Sequence, residues 1–137
     1  MAFSNYLQEA LLDLVFGDQA WTVPATLYVG LSSTAPAADG TGITEPSGGA
    51  YARVAVANNT TNWPSATASG GSSSVSNGTA ITFPTATADW GTVDYYFIAD
   101  AATAGNVLGF TALTSSQTIS TNDVASFAVG TLVISLT

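Results

Sequence analysis

After Pro24 the apolar residues of this chain recur at every second position, in short runs broken by Gly, Pro, Asn and Asp. A period of two presents one face of an extended segment to a core, whereas a helix needs a period near 3.6. Residues 25–32 place Leu27, Val29 and Leu31 on one face and Thr26, Tyr28 and Gly30 on the other. Residues 50–57 set Tyr51, Arg53 and Ala55 against Ala52, Val54 and Val56. The strongest strand signal is 93–99, through its aromatic and β-branched content. Segments 79–83, 107–113, 117–120, 125–127 and 131–136 complete the set. Short strands at this spacing predict a mainly β fold, an antiparallel β-sandwich of jelly-roll or immunoglobulin-like type.

One helix is expected ahead of the strands, over about 4–16. Leu7, Leu11, Leu14 and Val15 fall at helical spacing, with Tyr6 and Ala10 beside them. Ser4 or Asn5 caps its start, Gln8 stands three residues after Asn5 as in a capping box, and Gly17 ends it. The pattern predicts an amphipathic helix closing one end of a sheet; the alternative is a docking helix for a neighbouring subunit. Leu12 and Phe16 widen its apolar surface beyond one stripe. Residues 34–49 read as a long loop. Residues 58–76, rich in Asn, Thr, Ser and Gly, read as a flexible loop or arm, disordered in the free protein and ordered on assembly. Asn77-Gly78 reads as a turn.

At 137 residues the chain fits one domain, 1–137, able to bury roughly two-thirds of its unfolded surface. It has nine carboxylates and a single cationic side chain, Arg53, and no lysine, histidine or cysteine, for a net charge of −8. That balance argues against nucleic acid, whose phosphates need several cations, and against anionic membranes. No apolar run approaches bilayer length. The start of the chain lacks a basic region and carries Glu9 and Asp13, unlike a signal peptide, so assembly in a cytoplasm is expected. Charged residues make up 7% of the chain against about 25% ordinarily. A surface of Ser, Thr, Asn, Gly and Ala suits faces covered by partners or by copies of the same chain.

Without His or Cys, triad and thiol mechanisms lose their base or nucleophile. A two-carboxylate glycosidase built on Asp89, Asp94 and Asp100 would also need aromatic platforms such as Trp63, Trp90, Tyr95 and Tyr96; acids at turns and strand ends are the commoner explanation. Asp39, Thr41 and Glu45 lack the spacing of a calcium loop. Ser47-Gly48-Gly49 and Ser69-Gly70-Gly71 lack the lysine of a phosphate loop. No catalytic residue, metal or cofactor is therefore expected. Arg53 has two readings. One is a pair with an acid of its own chain, or stacking on Tyr51 or Tyr95; the other is a bidentate pair with a carboxylate of the next copy.

Several stretches resemble small virion proteins of tailed bacteriophages, a family loosely labelled tail or tail-fibre proteins. They are Met1-Ala2-Phe3-Ser4-Asn5-Tyr6-Leu7, residues 25–32, and Glu45-Pro46-Ser47-Gly48-Gly49-x-Tyr51-Ala52-Arg53. To these are added Asn77-Gly78-x-x-Ile81-x-Phe83-Pro84 and Asp89-Trp90-Gly91-Thr92. The resemblance runs nearly end to end and implies a structural role in the virion with no catalytic residues. A fibre shaft needs length and repeats, which this chain lacks. The expectation is therefore a capsid decoration (cement) protein that binds the major capsid protein lattice, other virion proteins and copies of itself. The alternatives are a tail, baseplate or tail-tip component, and a carbohydrate-binding or adhesion module. Interface candidates are Tyr51, Arg53, Trp63, Trp90, Tyr95 and Tyr96.

Overall fold

The computed structural model describes residues 1–136. Its elements in chain order are β1 (Ala2–Phe3), α1 (Asn5–Phe16), β2 (Thr26–Ser32), β3 (Val54–Ala57), β4 (Thr67–Ser69), β5 (Ser72–Ser76), β6 (Ile81–Thr82), β7 (Gly91–Ala99), β8 (Val107–Ile119), β9 (Ser126–Phe127) and β10 (Val133–Leu136). A five-stranded sheet runs β1-β8-β7-β2-β3. A three-stranded sheet runs β10-β5-β4, and β6 pairs with β9. Every pairing is antiparallel, and the sheets stack as a sandwich of unequal layers. The mainly β, antiparallel reading of the sequence is the fold that forms.

The central strand β7 is buried on both faces. Its Tyr96 and Ile98 join Val29, Leu31, Val56 and Leu108 in the main core, under Ile81, Phe83 and Leu132 from the smaller layer. Phe97 and Ala99 point the other way and pack with Val107, Ile43 and Phe110. Gly30, paired with Phe97, makes room for that ring: a Cβ on Gly30 would sit 2.3 Å from the Phe97 ring. The β7–β8 register shifts between Val93 and Tyr95, where two positions of β7 span five of β8, from Gln117 to Ala112. The sequence divides this stretch into two strands, 107–113 and 117–120; the structure makes one long strand with an irregularity between them.

Residues 58–76, expected to be a flexible loop or arm, carry a turn and a β-hairpin. Asn59 Oδ1 accepts hydrogen bonds from the Thr61 and Asn62 amides, turning the chain so that Trp63 enters the core. A hairpin follows, β4 to β5 through Gly70-Gly71, and β5 pairs with β10 from Ser73 to Ser76. A serine-rich strand hides few apolar atoms, but its backbone pairs as well as any other, and composition does not register that pairing. Asn77 is a hub and not a hairpin turn. It is 1% exposed. Its amide group donates to Thr79 O and Ala128 O (both 2.9 Å) and accepts from Leu132 N at 2.9 Å.

Helix α1 starts as the sequence indicates. Ser4 Oγ accepts from Leu7 N at 3.3 Å and donates to Val107 O, tying the cap to the edge of β8. Gly17 N donates to Asp13 O at 2.9 Å. No residue of the helix is fully buried, and Leu7 is the one packed against the main core. Leu7, Ala10 and Leu11 are half-buried, and the residues from Leu12 to Phe16 are exposed.

Candidate functional site

The stretch from Glu45 to Arg53 builds the most connected side-chain cluster in the molecule. Gly48, Gly49 and Ala50 take left-handed φ of 74°, 56° and 63° in succession. Glycine adopts such angles freely; alanine does so under strain. The coil wraps the Trp90 indole, whose N–H donates to Gly49 O at 2.7 Å. A Cβ on Gly49 would lie 2.9 Å from both Ala88 O and Trp90 Nε1. The turn then delivers Tyr51 edge-on to Trp90, with ring centroids 5.2 Å apart.

Turning the chain this way brings Tyr51 and Arg53 to Glu45. The Tyr51 hydroxyl donates to Glu45 Oε1 at 2.8 Å and accepts from Leu31 N at 2.9 Å. Burial, first, and the adjoining Glu45 carboxylate push the phenol well above its usual range. Arg53 Nη2 donates to Glu45 Oε2 at 2.8 Å and Nε to Oε1 at 3.0 Å. Nη1 donates to Ala101 O and Ala104 O, each at 2.9 Å. The guanidinium carbon lies 4.9 Å from the Phe97 ring centroid. Of the two sequence readings, the geometry shows the internal pair, with Phe97 as the aromatic neighbour in place of Tyr51 or Tyr95. Arg53 and Glu45 side chains are 7% and 25% exposed. The cluster thus fastens the 33–49 loop, the start of β3 and the β7–β8 turn to one another. Its polar atoms are taken up in that work.

The other interface candidates do not gather at a surface. Trp63, Trp90 and Tyr96 are buried in the core, so their rings offer no open face to a ligand. The Trp63 indole N–H has no partner among the described residues. Tyr95 is half-buried on the rim of a shallow cleft with Asp94, Leu113 and Ser116. The three acids grouped in sequence are apart in bonding. Asp89 accepts from Thr121 N at 2.8 Å, an interaction that holds its carboxyl below the usual range. Asp94 accepts from Ser116, and Asp100 from Asn106 N at 2.7 Å. Asp39 accepts from the Thr41 hydroxyl at 2.7 Å within its own loop, which likewise lowers its carboxyl. Among the described residues no group of three acids is placed to share a metal ion.

What composition does not rank, and the structure exposes, is the apolar surface of α1. Leu12 is 58% exposed, Val15 66% and Phe16 82%. Val23, in the segment returning from the helix, is exposed as well. Trp21 ties that segment back through its indole N–H, 3.3 Å from the Tyr6 hydroxyl.

The fold is thus a small antiparallel β scaffold whose one cationic side chain is engaged by its own loops and whose helix exposes Leu12, Val15 and Phe16. Among protein-family models, residues 2–135 match the one described as Podophage GP4 fiber I protein gp80. The chain belongs to that family, and is a virion structural protein of a tailed bacteriophage. No curated protein matches it.

Proposed function

We propose that this chain is a fibre component of the phage tail, a subunit that joins other virion proteins by surface packing and catalyses nothing. The family match over residues 2–135 carries the reading. The internal use of Arg53, Glu45 and Tyr51 supports it, since that cluster rigidifies loops and presents no free base or nucleophile. The 137 residues serve as a compact module of the appendage, assembled onto the particle in the host cytoplasm.

The test is where the protein sits on the particle. Disrupted virions are separated into heads and tails, and each fraction is quantified by mass spectrometry. Recovery with tails or detached fibres, at a few to a few tens of copies per particle, is expected. Recovery with heads, in hundreds of copies, would overturn the fibre reading and restore capsid decoration on the major capsid protein lattice.

A further inference from the structure

We infer that the Glu45–Arg53 clamp is a protease shield. It folds away Arg53–Val54, the one peptide bond in these 137 residues that a trypsin-class protease can cut, and makes the folded chain refractory to that class of enzyme. The inference does not depend on the fibre reading.

Such a protease cuts after arginine or lysine, because an aspartate in its specificity pocket receives the cationic side chain. Arg53 is the only residue of either kind here. To reach that pocket it has to leave its present partners. Nε and Nη2 are held by the two oxygens of Glu45, and Nη1 by Ala101 O and Ala104 O. Four of its five N–H groups are therefore taken up inside the fold. The guanidinium also lies against the Phe97 ring, and the side chain is 7% exposed.

The backbone is closed to the protease as well. Nicking falls on exposed, loosely held chain, and the residues flanking this bond are anchored on both sides. Before it, the Tyr51 hydroxyl bridges Leu31 N and Glu45. After it, Val54 pairs with Val29 of β2, and Val56 is buried in the main core. Lifting Arg53–Val54 out detaches β3 from β2, and Glu45 from the β7–β8 turn, at once. The bond therefore opens only with a cooperative unit of the fold. Exposed chain does exist elsewhere. Residues 17–25 lie outside any helix or strand and are mostly exposed, and Gly70-Gly71 turns the β4–β5 hairpin in solvent. Neither stretch holds a cation. The susceptible chain has no target residue, and the one target residue sits on chain that is held.

The full chain is incubated with trypsin under native conditions, and its intact mass is followed over time. The comparison is Thr22→Lys, which puts a target on the exposed 17–25 segment. When cleavage waits for opening, its rate follows the open population, about 10⁻³ or less for a domain of ordinary stability. Cleavage after Arg53 in the wild type is expected to be at least about a hundredfold slower than cleavage after position 22 in the variant. The chain unfolded in urea should be cut promptly at Arg53, which assigns the resistance to the fold. Glu45→Gln keeps the size of the side chain and removes the counter-charge, and should speed native cleavage at Arg53 by about tenfold or more. Native cleavage at Arg53 as fast as at position 22 would overturn the inference. So would an unfolded chain that still resists, or a Glu45→Gln chain cut no faster than the wild type.

Discussion

Arg53 meets Glu45 side-on, Nε and Nη2 each on one carboxylate oxygen at 3.0 and 2.8 Å, across the eight-residue coil that also seats Trp90. The pair is largely out of solvent, and removing one partner leaves the other charge buried and uncompensated. Arg53→Ala is therefore expected to lower unfolding stability by about 3–5 kcal/mol. Arg53→Lys recovers less than half of that, because an ammonium cannot fill the fork toward Glu45 and also reach Ala101 O and Ala104 O. Urea unfolding of the two variants checks this. A loss in Arg53→Ala within about 1 kcal/mol of zero, the range of exposed pairs, would show that the pair does not act as a buried one.

The coil's glycines are not equivalent to its alanine. Gly49→Ala would hold a left-handed alanine whose Cβ meets Ala88 O and the Trp90 indole at 2.9 Å, and should cost about 2–3 kcal/mol. Ala50→Gly relieves a left-handed strain of about 1–2 kcal/mol, partly offset by the greater freedom of glycine in the unfolded chain. It should be neutral or slightly stabilising. Opposite signs for the two neighbouring substitutions in thermal unfolding are the expected result; destabilisation by both would contradict the strain argument.

Local patterning carried much of the fold. The period-two runs at 25–32 and 93–99 became β2 and β7, and the Ser4 cap began α1 where the spacing placed it. The motif from Glu45 to Arg53 is legible as a recurring string, and the structure gives its physical content: a left-handed coil that joins an acid to a tyrosine and an arginine eight residues on. Three things were not legible. Backbone pairing in β4 and β5 leaves no trace in a Ser- and Gly-rich composition. Asn77 looks like any turn asparagine until its three partners, two of them more than fifty residues away, are placed around it. Trp63, Trp90 and Tyr96 are as apt for a core as for a surface, and only the register of the sheets decides which. The same holds in reverse for Phe16, as apt for a core as those three and yet 82% exposed.

Asn77→Ala tests the hub. The substitution removes a side chain that pairs two carbonyls and one amide at a position 1% exposed. An unsatisfied buried group costs about 1–3 kcal/mol, so a loss of about 3 kcal/mol or more is expected. Asn77→Asp should be comparably harmful, since a carboxylate cannot donate to Thr79 O and Ala128 O. Amide exchange should localise the damage, with protection lost first in β5 and β10, which meet beside Asn77. Uniform loss across all strands would place the hub's role elsewhere.

Alkaline pH should unfold this protein through its tyrosines. With no lysine or cysteine, tyrosine phenols are its main side chains titrating near pH 10. Burial raises both Tyr51 and Tyr96 above the ordinary value of 10.0. Below that value the phenols are protonated in folded and unfolded chains alike, and their contribution to stability is fully present. As pH rises past it, the unfolded chain loses these protons first, so stability falls until the folded-state value is passed. Tyr51 alone should contribute a slope of about 1.4 kcal/mol per pH unit. Tyr51→Phe is less stable at neutral pH, because Glu45 Oε1 and Leu31 N lose a partner, yet its alkaline limb should be shallower by one proton's worth. Urea midpoints measured from about pH 8 upward give both slopes. Equal slopes for the wild type and Tyr51→Phe would mean that this phenol does not drive the transition.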